Sequence, residues 1–122
     1  MATDNDILYP DLSYKLVGCC YKVHNDIGRY GREKQYGERL EEVFRDPGID
    51  YKREYYVPGT GNYVDFLVSD TVIIELKVRD KIMREDYYQV QRYHKAAKCK
   101  LGLLVNFRQR TLRPKRVVVT KR

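Results

Sequence analysis

The chain has 122 residues, 43% apolar and 34% charged, enough to close one hydrophobic core with little left for a second, so a single domain over 1–122 is expected. Its formal charge of +7 is uneven: residues 108–122, RQRTLRPKRVVVTKR, hold seven of the 24 Lys and Arg and none of the 17 Asp and Glu, leaving residues 1–107 balanced. No apolar stretch approaches membrane length, and MATDNDILYPDL lacks a basic segment followed by an apolar run, which argues against a membrane or exported chain and sets the expectation of a reduced, cytoplasmic protein.

In chain order, Leu12, Leu16, Cys20, Val23 and Ile27 recur every three or four positions. That spacing predicts a helix over 11–27 with one buried face, capped by Asp11 or Ser13 and ended by Gly28. His24 on this helix reads as a packing or hydrogen-bonding residue rather than a ligand. After the Gly28–Gly31 link, residues 32–46 form a second helix with Tyr36, Leu40, Val43 and Phe44 inward, stopped by Pro47 and Gly48. Glu33 lies three positions before Tyr36, so the spacing puts it on the inward face. A glutamate in a first turn is also favoured by the helix dipole without any further role.

Strands follow at 51–57, 62–68 and 72–78, the first two separated by the turn signal Pro58-Gly59-Thr60-Gly61. A helix at 84–98, a strand at 101–107 and a last strand near 115–120 complete the order α-α-β-β-β-α-β-β. The helix between strands 72–78 and 101–107 makes that pair parallel, with a right-handed crossover, and the earlier strands form an antiparallel meander. The expected fold is α/β, a mixed sheet flanked by helices. Cys19, Cys20 and Cys99 give neither a disulfide framework nor zinc spacing.

Within YVDFLVSDTVIIELK, residues 63–77, the acids Asp65 and Glu75 and the base Lys77 interrupt two strands that otherwise read as buried. Alternation puts Glu75 and Lys77 on one face and Leu76 on the other. A two-residue loop at Ser69-Asp70 would set Asp65 opposite Ile74, whereas a three-residue loop, or a bulge with the same effect, pairs Val68 with Val72 and sets Asp65 opposite Glu75. We expect the second register. Two carboxylates then meet in an apolar sheet, where each is costly to desolvate unless something positive stands between them. Lys77 offsets one charge; a divalent cation offsets both, and hard oxygen donors favour Mg2+ or Mn2+ over zinc. An Asp/Glu–Lys ion-pair network explains the same three residues without a metal.

Gln89 and Tyr93 share a face of the next helix, where their polar tips could reach a phosphate or order a lysine, or the tyrosine could simply pack on the sheet. The basic segment 108–122 fits either a polyanion partner, nucleic acid being the commonest, or a solvated terminal strand.

Taken together, Asp65, Glu75-x-Lys77, Gln89-xxx-Tyr93 and the upstream Glu33 resemble the PD-(D/E)XK nuclease superfamily, the Q-xxx-Y element being typical of its RecB-like branch. More narrowly, VHNDIG at 23–28, EKQY at 33–36, VDFLV at 64–68, VIIELK at 72–77 and LGLLVNF at 101–107 resemble the small GxxExxY proteins over about residues 12–119. The family's glycine falls on Tyr30, and Tyr63-Val64 stands where the superfamily has a proline before its aspartate. The resemblance implies a restriction-endonuclease-like core and a Mg2+- or Mn2+-dependent deoxyribonuclease acting on nucleic acid, most simply DNA. It implies catalytic roles for Glu33, Asp65, Glu75, Lys77, Gln89 and Tyr93, and a metal held by Asp65, Glu75 and the main-chain carbonyl of Leu76, with Glu33 contributing directly or through water. Arg108, Arg110, Arg113, Lys115 and Arg116 would contact the nucleic-acid backbone, and a homodimer is compatible with the type. The alternative is a non-catalytic nucleic-acid- or partner-binding module that keeps the fold.

Overall fold

The structure, a computed structural model, describes residues 9–118. Helices α1 (Pro10–Ile27) and α2 (Glu33–Arg45) precede strands β1 (Tyr51–Val57), β2 (Asn62–Val68) and β3 (Val72–Lys77), then helix α3 (Arg84–Ala97) and strands β4 (Leu101–Asn106) and β5 (Lys115–Val118). The order is the expected one; positions 119–120 of the last expected strand lie outside the described residues. The sheet runs β1-β2-β3-β4-β5, antiparallel throughout except for the parallel pair β3 and β4. That exception follows from α3, which carries the chain back to the starting end of the sheet.

Alternation along β3 distributes its side chains between two cores. Val72, Ile74 and Leu76 face α1 and α2, joining Leu16, Val23, Tyr36 and Phe44, while Ile73 faces α3 and joins Tyr93 and Cys99. The sheet is thus a middle layer with two helices on one side and one on the other. All three cysteines are buried and free.

The start of α1 differs from expectation. Its N-cap is Tyr9, with φ 50°, and no side chain caps it. Pro10 follows as the first helical residue, its fixed φ suited to that place and its missing N–H no loss there, so Asp11 and Ser13 fall inside the helix. Ser13 is buried and its Oγ accepts a bond from Arg116 Nη1 at 2.6 Å. Gly28 does end the helix, at φ 85°, where its N–H bonds to His24 O at 2.7 Å. His24 is a hydrogen-bonding residue as expected, with Nε2 2.8 Å from Gln109 O.

Tyr36 fastens the link between the two helices. Its hydroxyl donates to Gly28 O and accepts from Gly31 N–H, and its ring stacks on Phe107 with centroids 4.3 Å apart. The link is thereby fixed to the end of β4.

On the other side of the sheet α3 lies close over β4 because residue 102 has no side chain. A Cβ at Gly102 would stand 2.6 Å from both His94 Nε2 and Val90 Cγ1. Both neighbours are buried and have nowhere to retreat. Gly102→Ala should therefore cost about 2 kcal/mol by overpacking, measured as a lowered urea midpoint; an unchanged midpoint would contradict this packing.

Candidate active site

The hairpin joining β2 and β3 sets the register on which the site depends. Ser69 and Asp70 both have positive φ, 50° and 55°, and Thr71 N–H closes the turn on Val68 O at 2.9 Å. Pairing then resumes at Val68 with Val72, followed by Leu67 with Ile73 and Phe66 with Ile74. Thr71 is the extra residue, and the register is the one that faces Asp65 toward Glu75.

At that point the ladder stops. In place of main-chain pairing, Asp65 N–H donates to Glu75 Oε1 at 2.9 Å and Leu76 N–H donates to Asp65 Oδ2 at 2.7 Å. Each carboxylate satisfies a backbone donor that the broken ladder releases. The break extends into β1, where Glu54, opposite Asp65, has φ 52° and drops out of the pairing between Arg53–Phe66 and Tyr55–Val64. Arg53 reaches Glu41 of α2, yet Tyr55, two residues on, packs with the core facing α3; likewise Val64 and Leu67, three apart, share that core. Both strands therefore change face at Glu54 and Asp65, which lets Asp65 border a cleft on the α2 side although Glu75 faces α3. The cleft, of about 310 Å³, is lined by Glu33, Gly37, Arg53, Glu54, Asp65 and Leu76 among others.

Burial dominates the electrostatics. Glu75 is 6% exposed, and its pKa is pushed from 4.5 to about 8, first by burial and then by the Asp65 charge. Burial also raises Asp65, against the Leu76 N–H, the shared hydrogen bond with Glu75 and the charges of Lys77 and Arg53, which lower it. The pair thus holds a proton between its two carboxyls. Two carboxylates and a main-chain carbonyl are hard oxygen donors whose mutual repulsion a divalent cation would relieve, so the donor chemistry fits Mg2+ or Mn2+. Among the described residues no third His, Cys, Asp or Glu side chain gathers with them into a ready metal-binding group.

The remaining expected residues surround this pair at different depths. Glu33 stands at the first turn of α2, on the side of the cleft but exposed rather than buried. It still lines the cleft, where partial burial and then the Asp65 charge raise its pKa and Lys77 and Arg79 lower it. Lys77 shares the face of Glu75 as expected, near enough for its charge to act on Asp65, Glu75 and Glu33, and its Nζ lies 3.9 Å from Asp86 Oδ1. Tyr93 is 4% exposed, with Gln89 one turn before it on the same face; burial first, then the Glu75 charge, raises its pKa. The helix pair therefore looks onto the carboxylates from the α3 side.

Three further residues shape the site and had no strong sequence signal. Asp86 accepts Met83 N–H at 2.8 Å at the start of α3 and is ion-paired with Arg79 at 3.2 Å as well as with Lys77. Its three-residue spacing from the N-cap fits a capping box, but methionine at the cap hides the pattern. Asn106, buried, fastens the ends of β3 and β4 by donating Nδ2–H to Arg79 O at 2.7 Å and accepting Arg79 N–H and Arg108 N–H at 3.2 Å each. Arg53 lines the cleft and pairs with Glu41 at 2.7 Å.

The basic segment is not one continuous surface. Arg108 bonds across to the Gly28–Gly31 link, Arg116 bonds to Ser13 of α1, and Arg110, Arg113 and Lys115 are exposed. Lys121 and Arg122 lie outside the described residues. A larger groove, about 390 Å³, runs between α1 and α2 past Gly18, Cys19 and Val43 and contains none of the candidate residues. No helix among the described residues is long and apolar enough to cross a membrane.

No curated protein matches the chain. The crystal structure of SSO0001 is similar in fold, with TM-score 0.53 and 18% identity, over 96% of this chain. The chain spans about 60% of the length of that solved structure. The five-stranded mixed sheet with three helices among the described residues is a restriction-endonuclease-like fold. Over residues 10–118 the sequence matches the PD-(D/E)XK nuclease superfamily, and the chain belongs to that superfamily.

Proposed function

We propose that this chain is a divalent-metal-dependent deoxyribonuclease of the GxxExxY type, within the RecB-like branch, acting as a single domain in the cytoplasm. The observation that carries the reading is the pair Asp65 and Glu75, set against each other where the β2–β3 ladder breaks and each holding a main-chain N–H. A protein with no use for these carboxylates would be more stable with apolar residues in the middle of its sheet. Glu33-x-x-Tyr36, which keeps the acid and tyrosine of the motif although Tyr30 stands at its glycine, and the Gln89-xxx-Tyr93 spacing support the narrower assignment.

In this reading Asp65, Glu75 and the Leu76 carbonyl hold the metal, and Glu33, at the cleft's exposed edge, takes part through water. A bound Mg2+ or Mn2+ would polarise the scissile phosphate and acidify a water. Lys77, 3.9 Å from Asp86, stabilises negative charge that develops on the phosphate. Gln89 and Tyr93 fix the position of the phosphate or of the lysine. Arg110, Arg113 and Lys115 supply backbone contacts without sequence information.

The test is incubation of the purified chain with supercoiled, linear and single-stranded DNA. Cleavage with Mg2+ or Mn2+, and none with EDTA, is the expected result. Salt-sensitive DNA binding with no cleavage under any metal would reject the nuclease and leave the binding module.

A further inference from the structure

The link at residues 28–31 and the loop after β4 are joined by two reciprocal bonds. Arg29 Nε–H donates to Arg108 O at 3.0 Å, and Arg108 Nε–H donates to Arg29 O at 2.9 Å. Tyr30 lies beside them, 77% exposed, with the guanidinium carbons of Arg29 and Arg108 at 4.9 and 5.8 Å from its ring centroid. A solitary exposed tyrosine would call for no explanation. Here two guanidinium groups, held in place by their Nε bonds, lie near the ring, which stays largely exposed, while their Nη groups have no acceptor among the described residues. Such forks are suited to phosphate oxygens, and the ring is suited to the flat face of a base.

The surface is also tied to residues of the candidate site. Tyr30 comes three residues before Glu33, and Arg108 shares Asn106 with Arg79. Phe107 N–H, next in the chain to Arg108, bonds to Lys77 O at 2.9 Å. A strand lying across Lys77 would continue onto Arg108 and Tyr30.

We propose that Arg29, Tyr30 and Arg108 grip an unpaired strand of nucleic acid beside the cleft, one base stacking on Tyr30 while the arginine Nη groups hold neighbouring phosphates. Inside a duplex both faces of each base are covered by its neighbours, so the ring selects single-stranded or frayed nucleic acid. The identity of what is cut rests on the nuclease reading; the grip itself does not.

Fluorescence anisotropy in EDTA, with the full chain and a labelled oligonucleotide either single-stranded or as a blunt duplex, tests the grip without cleavage. Tyr30→Ala should weaken single-strand binding by about ten-fold and duplex binding by less than about two-fold, while Tyr30→Phe keeps the wild-type preference. Arg29→Ala should lower the logarithmic salt slope by about one. Lys52→Ala, which removes an exposed charge at the far end of β1, should change neither affinity by more than about two-fold. Equal losses on both DNAs with Tyr30→Ala, no loss on either, or an unchanged salt slope with Arg29→Ala would overturn the proposal. Circular dichroism confirms that each variant is folded. Tyr30-dependent single-strand preference in a protein that cuts nothing would uphold the grip and reject the nuclease. Cleavage with normal binding by Tyr30→Ala would do the reverse.

Discussion

Replacing Glu75 with glutamine is expected to abolish cleavage, a loss of at least about 10³-fold, and to leave a protein more stable than the wild type at alkaline pH. The loss follows from removing a charged oxygen donor while leaving the shape unchanged. The gain follows from the cost of the native carboxyl. In the unfolded chain Glu75 releases its proton near pH 4.5, but in the folded protein burial and Asp65 hold that proton up to about pH 8. Between these values the folded state binds more protons, so the stability contributed by the neutral carboxyl is fully present below pH 4.5 and is lost as pH rises to about 8. Glutamine keeps Oε1 for the Asp65 N–H and offers an amide donor to the Asp65 carboxylate, replacing the shared proton at every pH. Urea unfolding at pH 5, 7 and 9 should show the variant's advantage growing to a few kcal/mol, given roughly 1.4 kcal/mol per pKa unit. If the two proteins lose stability in parallel with rising pH, Glu75 is not the strained carboxyl that the structure describes.

How much of this was legible in the sequence depended on whether the deciding interaction was local. The helices and strands announced themselves through the spacing of Leu16, Cys20 and Val23 and through the alternation of Val72, Ile74 and Leu76, since both periods follow from backbone geometry. The hairpin register was legible too, because only one choice brings Asp65 and Glu75 together, and the pairing of Val68 with Val72 bears it out. The change of face at Glu54 and Asp65 was not, because it arises from a positive φ at a glutamate that no propensity favours. The exposure of Glu33 was not legible either, because spacing gives a direction around a helix but not how deeply its first turn is covered. Lys77 reads as a partner for the carboxylates, while its nearest ion pair, Asp86, lies nine positions on and is held there by the start of α3. The tail reads as one basic stretch, yet folding directs Arg108 and Arg116 to different helices and links.

His94→Leu should make the protein markedly more resistant to acid. His94 is 1% exposed, and neither ring nitrogen has a hydrogen-bond partner among the described residues. Its ring fills the space over Gly102 beside Val90. Burial lowers its pKa from 6.5 to about 4. In the unfolded chain the ring takes up a proton near pH 6.5, while in the folded protein it stays neutral until about pH 4. Stability that is fully present above pH 6.5 is therefore lost as pH falls toward 4, at most about 3 kcal/mol on a scale of 1.4 kcal/mol per unit. Leucine has a similar volume, carries no orphaned polar atom and cannot be protonated, so it removes the acid loss and adds about 1 kcal/mol at neutral pH. The main-chain carbonyl of residue 94, which ends α3 by accepting the N–H groups of Lys98 and Cys99, is unaffected. Unfolding at pH 4.5 and 7.5 decides the matter: the wild type should lose several times more stability between these values than the variant. Equal losses would assign acid sensitivity elsewhere. Because α3 also carries Gln89 and Tyr93, opening of the helix at His94 would withdraw both from Glu75, and acid inactivation of the wild type should accompany the loss of α3 packing rather than precede it.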